Sequence, residues 1–281
     1  MIVTSPHKAR VGRVARLTML LIGAIVMVGP FVYMVSTSFK KRTYLFEYPP
    51  RFIPKEPTFE NYQHAWSAGN FSRYFLNSLG VAAVTTVSVV VLASMAAYAF
   101  ARFQFPGKRV LFTLMLVGLM VPTIMLIIPQ FILAANLHLV DNLWGLVLFY
   151  IGGNFALNTF LLRGFMEEIP RELDEAMTVD GATSVQRFWR LYMPLSRPAL
   201  GTVTLFSFLG SWDEFAWAVT LINSPDKRTL PIGIALLQGE HATSWGLVFA
   251  ASVIALLPVF IVYISAQRHF VQGLTLGGVK G

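Results

Sequence analysis

Charge is missing from six long stretches of this sequence. They are Leu17 to Phe39, Tyr74 to Ala101, Val110 to Val140, Asn142 to Leu162, a split stretch (Pro198 to Trp212, then Phe215 to about Ser224) and Ala242 to Gln267. An α-helix crosses a bilayer core with about 20 apolar residues. Backbone polar groups at that depth must be satisfied within the segment, so each stretch reads as a spanning helix. Only 13% of the 281 residues are charged and 55% are hydrophobic, against roughly a quarter charged in soluble domains. The expected fold is therefore all-α, a polytopic membrane protein with six transmembrane helices. The first stretch follows a basic arm as a signal peptide would, but it exceeds the usual apolar core of about 7–15 residues and reads as a retained span.

Lys and Arg orient the spans. Fourteen lie in the N-terminal arm, the second and fourth loops and the tail; eight lie on the other side, six of them in the long Lys40–Arg73 loop. Positive residues collect on the cytoplasmic side and weigh least in long loops. Both termini are thus expected in the cytoplasm. The arm covers 1–16, the six-helix transmembrane domain 17–267 and the tail 268–281. The net charge of +8 flanks apolar runs, so it indicates contact with membrane lipid rather than nucleic acid. The Lys40–Arg73 loop carries Pro49, Pro50, Pro54 and Pro57 and a series of aromatics: Tyr44, Phe46, Tyr48, Phe52, Phe59, Tyr62 and Trp66. It reads as an interfacial aromatic belt or as a docking surface for an extracytoplasmic partner.

Between the fourth and fifth stretches, at about 165–197, lies a polar segment. Pro170 suits a first helical turn, and Glu172, Asp174 and Glu175 favour the positive end of the helix dipole. Gly181 closes that helix, and Thr183 with Gln186 three residues on forms a capping box for the next. Val185, Phe188, Trp189 and Tyr192 form an apolar stripe at helical spacing. An acidic first helix would be repelled by anionic lipid, so a hairpin facing a protein partner fits better than one lying on headgroups.

The string from Glu175 through Ala176, Met177, Asp180, Gly181 and Ala182, followed by Phe188 and Met193-Pro194, resembles the EAA loop of ABC importer permeases. Met177 and Met193 depart from the usual Ala and Leu, and both stay apolar. The tail from Gln267 to Gly281 and Ser211-Trp212-Asp213-Glu214-Phe215 resemble the carbohydrate branch, the permeases similar to the second membrane subunit of maltose transporters. In that branch Asn is common where this chain has Asp213.

The resemblance implies a coupling-helix hairpin docking on a cytoplasmic ATPase, with Glu175, Ala176, Met177, Asp180, Gly181, Ala182 and Phe188 as the coupling set. It implies an extended tail, Gln272, Gly273, Leu274 and Thr275 included, against an ATPase dimer. A second homologous permease and an extracytoplasmic solute-binding protein complete the implied complex, in a bacterial inner membrane. The cargo would be a sugar, oligosaccharide or polyol derivative.

No phosphate-cradling G-x-x-x-x-G-K-[ST] string is present, so ATP and Mg would be bound by the partner ATPase and no cofactor by this chain. No catalytic role is expected. Asp213 and Glu214, flanked by Trp212 and Trp217, interrupt the fifth stretch; acids at membrane depth line pathways or pair with something. With Asn77 they are candidate pathway residues. Gly152-Gly153 reads as a close helix contact, and Pro122 and Pro129 as interruptions of the third span. His138 and His241 are too isolated for a metal site. Two alternatives stay open: an ABC permease for a glycerophosphodiester or other polar solute, and an ion-coupled secondary transporter, which would want an inverted repeat.

Overall fold

A computed structural model describes residues 6–41, 51–67, 69–238 and 244–277, with side chains at 12–41 and up to 267 in the last segment. Tyr44, Phe46, Tyr48, Pro49, Pro50, His241, Lys280 and the side chains of Gln272, Leu274 and Thr275 lie outside the described residues. The chain divides into two units: residues 1–68 with 236–254, and 69–235 with 255–281.

In the first unit, α1 (Pro6–Ser38) carries the first apolar stretch, and its large side chains from Leu17 to Val28 are broadly exposed. A surface of that kind is stable against lipid, not water. Past its end the chain doubles back. The Phe39 carbonyl accepts from Thr58 N–H at 2.9 Å, and Asn61 on α2 (Glu60–Ser67) donates to the Ser38 and Lys40 carbonyls, each at 2.8 Å. The ring of Phe39 meets Phe59 edge-on at 5.3 Å and Tyr62 at 5.0 Å. Phe52, Phe59 and Trp66 of the aromatic series stay exposed.

The second unit is built on three helices, α3 (Phe71–Arg102), α6 (Leu143–Glu167) and α10 (Arg197–Trp212), with α3 packed on both others. Small residues make this possible. Ala82, Ala93, Ser94 and Ala97 of α3 are fully buried, and small side chains let helix backbones approach closely where no water drives association. At one end of the bundle, Val81, Leu146, Tyr150, Trp217 and Leu221 form a cluster; at the other, Val89, Ala97, Tyr98, Leu162, Phe188, Tyr192 and Val203 form a second.

The third stretch is broken. α4 (Lys108–Leu119) and the 3₁₀ turn Thr123–Leu126 leading into α5 (Ile127–Asn136) are bent by 96°. Pro122 stands at that break, having no N–H to continue the helix, whereas Pro129 sits in the first turn of α5, where no N–H is required. Asn142 caps α6 by accepting from Trp144 N–H at 3.0 Å.

Beyond α6 come α7 (Arg171–Val179), α8 (Ser184–Arg187), a five-residue π turn (Phe188–Tyr192) and α9 (Met193–Leu195). The fifth stretch stops at Trp212 and resumes as α11 (Ala216–Leu221). α12 (Leu230–Leu236) and α13 (Trp245–Gly277) follow.

Among the described residues four helices are long and apolar enough to cross a membrane, and the bent pair makes a fifth if counted as one span. The expected fifth span falls short of that standard because α10 has 16 residues before the break at Asp213. The tail also departs from expectation. α13 runs on through Gly277, so residues 273–277 are helical and not extended.

Candidate functional site

Three places in the second unit concentrate polar chemistry: the hairpin of α7 and α8, the break between α10 and α11, and the loops at Asp141 and Ser224.

The hairpin is closed by backbone geometry. Gly181 sits at φ +79°, a left-handed conformation that costs other residues roughly 1–2 kcal/mol. Ala182 N–H reaches back to the Met177 carbonyl at 2.9 Å and Gly181 N–H to Thr178 at 3.0 Å, the paired bonds of a Schellman cap. One residue later, the Thr183 hydroxyl accepts from Gln186 N–H at 3.3 Å while Gln186 Oε1 accepts from Thr183 N–H at 2.8 Å. A side chain that the sequence did not single out ties the two arms together. Arg187 donates to Asp174 Oδ2 at 3.2 Å, to Thr178 Oγ1 at 2.7 Å and to Ser184 Oγ at 3.2 Å. Both members of the Arg187–Asp174 pair are four-fifths or more buried.

A second set of contacts fixes the hairpin to the bundle. The Tyr98 hydroxyl donates to the Ser184 carbonyl at 3.2 Å. Arg102, at the end of α3, donates to the Met166 carbonyl at 2.6 Å and to the Ile169 carbonyl, and lies 5.1 Å from the centre of the Tyr192 ring. Burial holds the Tyr192 hydroxyl well above its ordinary pKa, with the Arg102 charge opposing and the Asp174 carboxylate adding to the rise.

Phe188, which the resemblance puts in the coupling set, is 5% exposed and rests between Tyr98 and Trp189. The cause is the π turn, which carries one residue more per turn than an α-helix. It rolls Phe188 and Tyr192 inward while Val185 and Trp189 stay exposed. Glu175, Ala176 and Asp180 remain at the surface, with Met177 and Ala182 half-buried. Glu175 makes no hydrogen bond or ion pair among the described residues.

At the break between α10 and α11, Glu214 is fully engaged. Its Oε2 accepts from the Tyr150 hydroxyl at 2.6 Å and from Ala218 N–H at 3.0 Å, and its Oε1 from Trp217 N–H at 2.7 Å. A cavity of about 420 Å³ opens beside it, with Thr123, Gln130, Tyr150, Asn154, Glu214 and Trp217 in its wall. The structure thus brings together Glu214 and Trp217 of the expected pathway residues. It also adds Gln130, Tyr150 and Asn154, which the sequence did not reveal because they lie on α5 and α6.

The other pathway candidates lie elsewhere. Asp213 is exposed and is not in the cavity wall. Trp212 is buried instead, stacked on Phe208 at 5.5 Å and donating to the Ala255 carbonyl at 3.1 Å. Asn77 braces a loop, donating to the Asp226 and Arg228 carbonyls at 3.0 and 2.9 Å. Gly152 and Gly153, read as a helix contact, have open space where a Cβ would stand, and Gly153 faces the cavity.

A third constellation fastens the loop before α6 to the one after α11. Asp141 accepts from Asn223 N–H at 3.0 Å, Ser224 N–H at 2.8 Å and the Ser224 hydroxyl at 2.5 Å, and Lys227 approaches its carboxylate at 3.1 Å. The Ser224 bonds, more than the Lys227 charge, hold the Asp141 carboxyl well below the usual range.

Apolar helices long enough to cross a membrane, a cavity of mixed lining at the helix break and one rigid polar hairpin define a polytopic membrane protein. Residues 65–276 match the family described as "Binding-protein-dependent transport system inner membrane component", and the chain belongs to it. Its relatives include the galactooligosaccharides transport system permease protein GanQ of Bacillus subtilis, 34% identical with 92% of each chain covered. The trehalose/maltose transport system permease protein MalG of Thermococcus litoralis is 35% identical, covering 94% of this chain and 96% of that one. Among solved structures, a bacterial ABC transporter for import of the acidic polysaccharide alginate superposes with a TM-score of 0.83 at 25% identity. It covers 95% of this chain and 99% of that one.

Proposed function

We propose that this chain is the transmembrane permease subunit of a binding-protein-dependent ABC importer that moves a carbohydrate into the cytoplasm, driven by ATP hydrolysis on separate subunits. The observation that carries the reading is the hairpin. It is capped at both turns, cross-tied by Arg187 and fixed to α3 by Tyr98 and Arg102, yet it leaves the Glu175 carboxylate without a partner among the described residues. A stiff element with a free acid on its surface suits docking into a cleft on an ATPase that offers a basic residue.

In this proposal the six apolar stretches all cross the membrane, the bent α4–α5 pair and the broken α10–α11 pair each counting once, and both termini are cytoplasmic. ATPase closure draws this hairpin towards that of a second, homologous permease, and α3 and α6 follow. An extracytoplasmic solute-binding protein delivers the cargo. The names of the relatives, among them transporters of galactooligosaccharides, trehalose and maltose, favour a saccharide.

The test is purification of the tagged chain from gently solubilised membranes, with the co-purifying proteins identified. An ATPase, a second permease and a solute-binding protein are expected, together with ATP-dependent sugar uptake after reconstitution. Recovery of the chain alone, with uptake driven by an ion gradient, would overturn the proposal. The engagement of Glu214 by three donors also leaves no free acid pair at 213–214 of the sort an ion-coupled carrier needs.

A further inference from the structure

The residues around the cavity beside Glu214 bear on which saccharides the chain could pass, and this step rests on the proposed function. About 420 Å³ falls within the ~300–1,000 Å³ of ordinary small-molecule sites. Three features of its wall point to a polyhydroxylated ligand.

The indole of Trp217 and the ring of Phe149, 4.8 Å apart between centres, give the wall an apolar face. Trp217 is 5% exposed, so its ring is held in place and only an edge of it meets the cavity. The amides complete the wall. Asn154 donates through Nδ2 to the Tyr150 carbonyl at 2.9 Å, which leaves Oδ1 to accept. Gln130 makes no hydrogen bond among the described residues and can both donate and accept.

Charge sorts the candidates. Among the described residues no Lys, Arg or His stands in the cavity wall, and the one carboxyl there, Glu214, has its oxygens fixed by Tyr150 and two backbone N–H groups. An anion entering such a place would leave water without a counter-charge and meet a carboxylate. A neutral sugar meets acceptors, donors and rings.

We infer that the cavity between α5, α6 and α11 is a subsite for a neutral saccharide, and that it excludes uronate sugars and phosphodiesters. The permease pair with its ATPase, purified without binding protein, is the sample for saturation-transfer NMR. The probes are neutral trisaccharides of glucose and of galactose, and a uronate trisaccharide as comparator.

The expected result is binding of at least one neutral probe, with the uronate at least tenfold weaker. Asn154→Ala removes an acceptor, and Gln130→Ala removes the other amide; each should weaken the neutral probe threefold to tenfold. Gln130→Lys should narrow the gap between neutral and uronate probes at least fivefold. Equal binding of the uronate, or wild-type affinity in both weakening variants, overturns the inference. Sugar uptake by the reconstituted importer that persists with no probe bound to the permease pair also overturns it and leaves the proposed function standing. Failure of uptake for every sugar, neutral or acidic, removes both.

Discussion

Glu175 and Glu214 are the same side chain in two opposite situations. Glu175 stands on the surface of α7 with no partner among the described residues. Glu214 is held by a phenol and two amide N–H groups within 3.0 Å. The first has its bonding capacity available to another chain, and the second uses its capacity to restart a broken helix. Removing the first should therefore show in what the molecule does with partners, and removing the second in how the molecule holds together.

The largest effect expected is from Gly181→Val. Open space surrounds the position, so no clash arises, but a β-branched residue at φ +79° carries about 1–3 kcal/mol of backbone strain. The turn should open, and sugar-stimulated ATP hydrolysis by the reconstituted complex should fall at least tenfold; near wild-type activity would mean the turn geometry is not used. Glu175→Ala comes next. Co-purification of the ATPase, or the stimulation of its hydrolysis, should drop about tenfold, while the thermal midpoint of the isolated chain in detergent stays put. A shifted midpoint with intact coupling would reverse the contrast between the two acids.

Glu214→Gln should do the opposite. It keeps the shape but loses an ionic acceptor, and bonds to charged groups contribute about 1.5–3 kcal/mol. A lowered thermal midpoint with ATPase recovery unchanged is the expected pattern. Arg187→Met tests the cross-tie and should cost about 2 kcal/mol, read as faster proteolytic cleavage between residues 171 and 195. A double-mutant cycle with Asp174→Asn should show the two effects to be non-additive.

The smallest effect concerns acid. The Asp141 carboxyl titrates below its unfolded value, so its stabilisation is complete above about pH 4 to 5 and is lost as pH falls through the folded value. Between pH 7 and 5 that contribution is full and constant, so thermal unfolding should show no pH dependence from it. Below pH 4 the wild type should lose stability that Asp141→Asn has already lost at pH 7.

The hairpin was largely legible in the sequence because its signals are local. A glycine after an apolar stripe, a Thr with Gln three residues on, and a Pro at the entry act across three or four residues, and the structure places each at its cap. What the sequence hid is long-range. Asp174 and Arg187 are 13 residues apart, Tyr150 and Glu214 are 64 apart, and Asn77 reaches a carbonyl 149 residues away. Spacing carries no record of such meetings. The 185–192 stripe divides for a different reason: helical periodicity assumes a constant turn, and across the π turn from Phe188 to Tyr192 those two residues are buried while Val185 and Trp189 are exposed.

Arg102 grips the carbonyls at the end of α6 from the last position of α3, a helix of 32 residues. At 1.5 Å per residue that helix is roughly 48 Å long, and near its far end Asn77 holds the loop at Asp226 and Arg228. A rod fastened at both ends is a lever. A tilt of about 5° imposed at the Arg102 foot displaces the other end by roughly 4 Å, about the width of one strand of backbone, without any bond along the rod having to break.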